Sequence, residues 1–206
     1  MRSADMTAAA RIRQAALERF AAHGVAASSL RAIAADAGIS PALVVHHFGS
    51  KAGLREAVDD FVVEFATEVI DEFADQATAD DDGAVLARFA EQPAVLEYLS
   101  RSIVEGGAAG ESLFDRLLDL TVKGIDDMQA RGVMRTDIED PPMLAIYLLA
   151  SDLGIMLLRD HTRRHLGIDP MSPEGLRRWA RTGIEVFGSG LLSSLPTEGS
   201  SSDDPN

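Results

Sequence analysis

The short segment from Ser29 to Lys51 constrains this chain more than any other feature. Leu30 to Ala37 places Ile33, Ala34 and Ala37 on one helical face, and Pro41 to Phe48 does the same with Val44 and Phe48. Only Gly38-Ile39-Ser40 separates the two stretches. Ser40 before Pro41 is an N-cap followed by a proline at the first helical position, and Gly49 follows the second stretch. Gly38 can adopt the left-handed backbone that closes a tight turn. Two short helices across such a turn form a helix-turn-helix pattern. The pair is too small to bury a core alone, so a third helix is required. Thr7 to His23 supplies it, with Ile12, Ala16, Leu17 and Phe20 on one face and Gly24 at its end.

The rest of the chain also reads as helix, and no stretch alternates apolar and polar residues as a half-buried strand would. A long helix begins at Ser50-Lys51 and continues through Leu54, Val58, Phe61, Phe65, Val69 and Phe73. Thr78 to Gly83 is a break, and Asp80-Asp81-Asp82 within it reads as a solvated acidic loop. Shorter helices follow near Ala84–Gln92 and Ala94–Val104, then a Gly106–Gly110 loop and a helix from Glu111 to Arg131. Pro142 to Leu166 forms one helix ending in Arg163, Arg164 and His165, where the helix dipole favours cations. A last helix runs from Ser172-Pro173 to about Leu192, before a Ser/Asp/Pro-rich tail expected to be disordered. The expected architecture is all-α with about nine helices. A helix-turn-helix domain occupies residues 1–52, a helical regulatory and dimerisation domain 53–195, and the tail 196–206.

Charge separates the two parts. Residues 1–55 hold Arg2, Arg11, Arg13, Arg19, Arg31, Lys51 and Arg55 against Asp5, Glu18 and Asp36, a net +4 in a chain of net −14. Local charge outweighs the total because screening acts over ~8 Å at physiological salt. A basic end on an acidic body suits a partner-facing module. Without cysteine the chain forms no disulfide or thiolate metal site, which fits a reducing cytoplasm. The Pro142–Leu158 stretch is shorter than the ~20 residues that a bilayer span needs, and Asp152 interrupts it. No membrane association is expected.

The second helix of a helix-turn-helix enters the major groove of double-stranded DNA by its N-terminal end. Pro41, Ala42, Leu43, Val45 and His46 would then face the bases, with Ser40 at the helix start. Ser28 and Ser29 at the start of the preceding helix, His47 and Lys51 are placed to meet phosphates.

Taken together, Ala15-Ala16…Phe20…Gly24, Ser28-Ser29-Leu30-Arg31-Ala32-Ile33-Ala34…Ala37-Gly38-Ile39-Ser40 and His46-His47-Phe48-Gly49-Ser50-Lys51…Leu54 resemble the DNA-binding domain of the TetR family. The resemblance covers about residues 8–58. It implies a homodimeric transcriptional regulator whose last two helices form a four-helix interface. It also implies a small-molecule inducer pocket in the body, and release of DNA when that pocket fills. By matched position it makes Arg31 and the exposed face of the second motif helix candidates for base contact, and Ser29, His47 and Lys51 candidates for phosphate contact. Val45 stands where the family usually has a tyrosine whose hydroxyl holds a phosphate. Valine cannot do so but can pack against a thymine methyl. Hydrogen-bond readout then falls to Arg31 and His46, and modest base discrimination per half-site is expected.

Two further surfaces are candidates. The 142–166 helix is apolar nearly all round, so another element must cover it. Tyr147, Ser151 and Ile155, with Trp179, Ala180, Gly183, Ile184, Phe187 and Gly190 of the last helix, form a homodimer seam in which the small residues allow close approach. Phe61, Phe65, Phe89, Phe114, Leu117, Met128 and Met143 could line an inducer pocket with Tyr98, Tyr147 and Asp152 as its polar groups. The same side chains also suit a plain core. The acidic body favours a mostly apolar, neutral or cationic inducer. Neighbouring His46 and His47 point about 100° apart on a helix and do not chelate. His161 and His165 have chelating spacing, but Arg163 and Arg164 crowd them with positive charge. No nucleophile motif, paired catalytic carboxylates or phosphate-cradling glycine loop is present, so neither an enzyme nor a cofactor is expected. The remaining alternative is a ligand-independent DNA-binding protein of the same fold.

Overall fold

The computed structural model of the protein describes residues 3–76, 88–137 and 139–189. Among them are ten α-helices and no strand. The head consists of α1 (Ser3–Ala27), α2 (Leu30–Asp36) and α3 (Pro41–Phe48), and α4 (Lys51–Gln76) leads out of it. The body adds α5 (Arg88–Glu91), α6 (Pro93–Glu105), α7 (Gly107–Ala130), α8 (Pro141–Leu157), α9 (Arg159–Leu166) and α10 (Pro173–Ser189).

One apolar core runs without interruption from head to body. Ile12, Leu17 and Phe20 of α1 meet Ile33 of α2, Val44 of α3 and Leu54 and Val58 of α4, and the cluster continues through Val69, Val95, Leu113 and Leu149. Helix α1 therefore serves two partners, closing the head core on one side and packing against α6 on the other. Phe20 and Tyr98 lie 6.3 Å apart at that junction. The Tyr98 hydroxyl donates to Asp59 of α4, and all of Asp59, Tyr98 and Ser102 are buried. Burial pushes the Asp59 carboxyl above its usual range, against the opposing hydrogen bond from Tyr98 and the charge of Arg55.

Several boundaries differ from the sequence reading. Helix α1 extends to Ala27 but breaks at Gly24, which takes φ 78°, ψ 160°. Gly106-Gly107 is a sharp corner rather than the start of a longer loop, and α7 begins at Gly107. Gly110 sits so close to the Ser102 carbonyl that a β-carbon would not fit. The expected 142–166 helix is two helices bent by 67°. Leu158 at the bend takes φ −93°, ψ 11°, outside the α-helical region. The new direction is fixed by Arg159, whose guanidinium binds Asp169 at 2.7 Å and Glu97 of α6 at 3.3 Å. The Thr78–Gly83 break, Asp80-Asp81-Asp82, Gly190 and the 196–206 tail lie outside the described residues. No single described helix is long and apolar enough to cross a membrane.

Candidate nucleic-acid interface

The turn between α2 and α3 is built by backbone hydrogen bonds that only a left-handed residue permits. Gly38 takes φ 66°. Its N–H donates to the Ala35 carbonyl at 3.1 Å, and the Ile39 N–H reaches back to the Ala34 carbonyl at 2.9 Å. That pair of bonds is a Schellman closure. From α1, the Arg11 guanidinium donates to the Ala37 carbonyl and Arg19 pairs with Asp36. Sequence reading missed both contacts because their partners lie far apart in the chain. Ser40 caps α3, its hydroxyl oxygen accepting the Leu43 N–H at 3.3 Å. Ser29 caps α2 in the same way through Ala32 N–H at 3.1 Å.

With the turn fixed, Ile33 and Val44 point into the core, and the opposite face of α3 is left to solvent. Pro41, Ala42, Val45 and His46 are exposed there, with Val45 48% accessible. Leu43 is half-buried, so it belongs to the edge of this face rather than its centre. Ser29, Arg31 and Ser40 are exposed beside it. The serine hydroxyls, already accepting a cap bond, still have a proton to donate.

Three candidate phosphate contacts occupy different environments from those the sequence suggested. Ser28 is only 2% exposed, and its hydroxyl donates to the Gly24 carbonyl at 2.8 Å. Its role is to satisfy the carbonyl left open where α1 breaks. Lys51 is turned inward, its Nζ donating to the carbonyls of Val25 at 2.9 Å, Ala26 at 3.2 Å and Ser28 at 3.0 Å. An ammonium with three donors thus closes the C-terminal end of α1. His47 is half-buried and its Nε2 is buried without a hydrogen-bond partner. Lys51→Met is therefore expected to lower stability by about 2 kcal/mol. It should leave the salt dependence of DNA binding unchanged, whereas loss of a phosphate contact would flatten that slope by ~1. Chemical denaturation and a salt titration of the variant measure the two effects separately.

Helix α6 holds the same end of α1 from the body side. The Arg101 Nε donates to the Ala21 carbonyl at 2.8 Å, and its Nη2 reaches Ala22 at 3.3 Å. This residue also went unnoticed in the sequence, since its partners lie about eighty positions away.

Two parts of the chain match known protein families. Residues 12–58 match the family described as bacterial regulatory proteins, tetR family, and residues 90–193 match the tetracyclin repressor-like C-terminal domain. The HTH-type transcriptional regulatory protein RaaS of Mycobacterium tuberculosis is 42% identical over 200 residues, covering 94% of this chain and 91% of that protein. The chain belongs to the TetR family. It is accordingly a DNA-binding transcriptional regulator with a helix-turn-helix head. A TetR-family regulator from Rhodococcus sp. has the same fold, with TM-score 0.61, 21% identity and coverage of 87% of this chain and 97% of that one. So does the TetR-family repressor FadR of Thermus thermophilus, solved in complex with lauroyl-CoA, with TM-score 0.54, 17% identity and coverage of 93% and 98%.

In this TetR-family body the residues considered for an inducer pocket lie in several different surroundings. Phe65 packs edge-on to Phe89 at 5.2 Å, Phe61 lies under the Arg13 guanidinium at 4.5 Å, and Leu117 is buried in the core. Tyr98 is committed to Asp59, and Met128 is half-buried. Phe114 borders a small surface concavity of about 220 Å³ beside Ile103 and Gly110. Met143, Tyr147 and Asp152 point outward instead, because the inner face of α8 is the one carrying Ala145, Leu149 and Leu153. A different groove, of about 700 Å³, lies between the end of α1, α6 and the α8–α9 bend.

The residues considered for a homodimer seam cluster on α8 and α10. Tyr147 and Phe187 meet edge-to-face at 6.1 Å, and Trp179 hydrogen-bonds Asp152. Met143, Ile146, Tyr147, Ile184 and Phe187 are exposed. Ser151, Ile155, Trp179 and Gly183 are half-buried, while Ala180 is buried within the chain. Among the described residues no three His, Cys, Asp or Glu side chains come together as a metal site.

Proposed function

We propose that the protein acts as a homodimer on a palindromic operator, represses transcription there, and releases the DNA when a small molecule binds the body. The observation that carries the dimeric part is the exposed apolar face of α8 and α10, with Met143, Tyr147, Ile184 and Phe187 on one surface of a single chain. Self-complementary burial of such a face gives a two-fold dimer. Two recognition helices then meet half-sites one DNA turn apart, ~34–36 Å, or further apart on an extended site. Arg31, Ser29, Ser40 and the outer face of α3 make the contacts in this reading.

Release requires that the ligand prefer the body conformation in which the heads no longer fit the operator. The 700 Å³ groove supports a site for it. Its lining joins Leu96, Met156 and Met171 to Arg101, Arg159 and Glu105, which suits an amphipathic molecule. A ligand there would touch Ala21 and Ala22 at the end of α1 and so act on the head directly. The alternative is that the same fold binds DNA without any ligand.

The test is a salt titration of binding to duplexes from the DNA flanking the protein's own coding region. Operator binding is expected to weaken steeply, with a log–log slope of about −0.9 per phosphate contact. A protein that bound those duplexes no better than random DNA of equal length would not be an operator-specific regulator of its own locus. A metabolite screen for release from the duplex then separates the ligand-responsive reading from the ligand-independent one.

A further inference from the structure

Helix α3 offers DNA a face with very little hydrogen-bonding capacity. Its outward residues are Pro41, Ala42, Val45 and His46, and Ala42, Val45 and His46 share one face at spacings of three and four. Three of the four end in carbon. The tertiary structure removes further polar groups from the surroundings. Lys51 is spent on the carbonyls of Val25, Ala26 and Ser28, Ser28 is buried, and the Nε2 of His47 is closed off from solvent. The Ser40 hydroxyl oxygen is tied to the cap of α3. Arg31 on α2, His46 toward the end of α3 and the hydroxyl protons of Ser29 and Ser40 remain as polar groups at the margins of the face.

The major groove displays one apolar feature among its donors and acceptors, the C5-methyl group of thymine. Laying Ala42 and Val45 against a donor or acceptor would strip its water and return no bond, which is unfavourable. Laying them against a methyl group buries apolar surface on both sides. We propose that this regulator recognises its half-site chiefly through thymine methyl groups packed against Ala42 and Val45, with Arg31 and His46 supplying the hydrogen bonds at the edges. The proposal rests on α3 being the helix that enters the major groove.

The experiment uses the full-length protein and a duplex enriched from random DNA by repeated rounds of binding to it. The duplex is synthesised in two forms, one with thymine and one with uracil at every T of the half-sites, which differ only by methyl groups. Affinity is expected to fall about four-fold for each methyl contacted, the equivalent of about 0.8 kcal/mol for one buried carbon group. The salt slope should not change, because no phosphate contact is touched. Val45→Ala, at a half-exposed position outside the core, should weaken the thymine duplex and have a much smaller effect on the uracil duplex. Equal affinity for both duplexes, or a Val45→Ala loss of equal size on both, overturns methyl recognition while leaving operator binding intact. Failure to enrich any duplex overturns operator binding itself, so the two outcomes are distinguishable.

Discussion

In the proposed homodimer, Ile184→Asp combined with Phe187→Asp is expected to give a folded monomer. Both side chains are more than half exposed in the single chain, at 53% and 55%, so neither contributes much to the fold of one subunit. Phe187 continues the surface of Tyr147, which is 57% exposed. In a two-fold dimer every such residue is buried twice. Each large apolar side chain contributes about 1.5–3 kcal/mol when fully covered. The paired substitutions should raise the dimer dissociation constant by at least ~10³, or about 4 kcal/mol. Operator affinity should fall with it, because a single head no longer gains the effective concentration that its partner provides. Sedimentation velocity reads the mass, and circular dichroism reports whether helix content is retained. A double variant that sediments as a dimer with the wild type would place the interface elsewhere, and a wild type that sediments as a monomer would overturn the dimer.

Phe20→Ala is expected to lower stability by about 3–5 kcal/mol, the usual cost of emptying a fully buried aromatic site. Phe20 has no exposed surface and stands where head and body share a core, between the helix-turn-helix residues and Tyr98 of α6. Collapse into the vacated space is opposed on both sides. The Asp59–Tyr98 hydrogen bond pins α6 to α4, and Arg101 pins α6 to the end of α1. Urea denaturation monitored at several wavelengths measures the loss. A change below about 1 kcal/mol would mean that the junction repacks freely, and that head and body are less rigidly joined than the continuous core implies.

The head was legible in the sequence because its determinants are local. The Ser40 cap, Pro41, Gly38 and Gly49 act on the backbone within four residues of themselves, and the structure keeps every one of them. The apolar positions Ile33, Ala34 and Val44 were legible for the same reason, since helical period alone decides which face turns inward. The long α4 followed from period as well.

Periodicity does not show what a polar side chain bonds to. Lys51 and Ser28 have the residue types of phosphate contacts, yet Ser28 donates to the Gly24 carbonyl and Lys51 to the carbonyls of Val25, Ala26 and Ser28 at the end of α1. The α8–α9 bend escaped notice because its anchor, Arg159 with Asp169 and Glu97, lies partly in another helix. The inner and outer faces of α8 could not be told apart, because a helix apolar on every side has no moment to orient it. The helix-turn-helix and its family were thus fixed by local backbone chemistry and spacing. Which polar groups remain free to meet DNA, and which apolar face remains free to meet a partner, was decided by long-range contacts that only the folded chain creates.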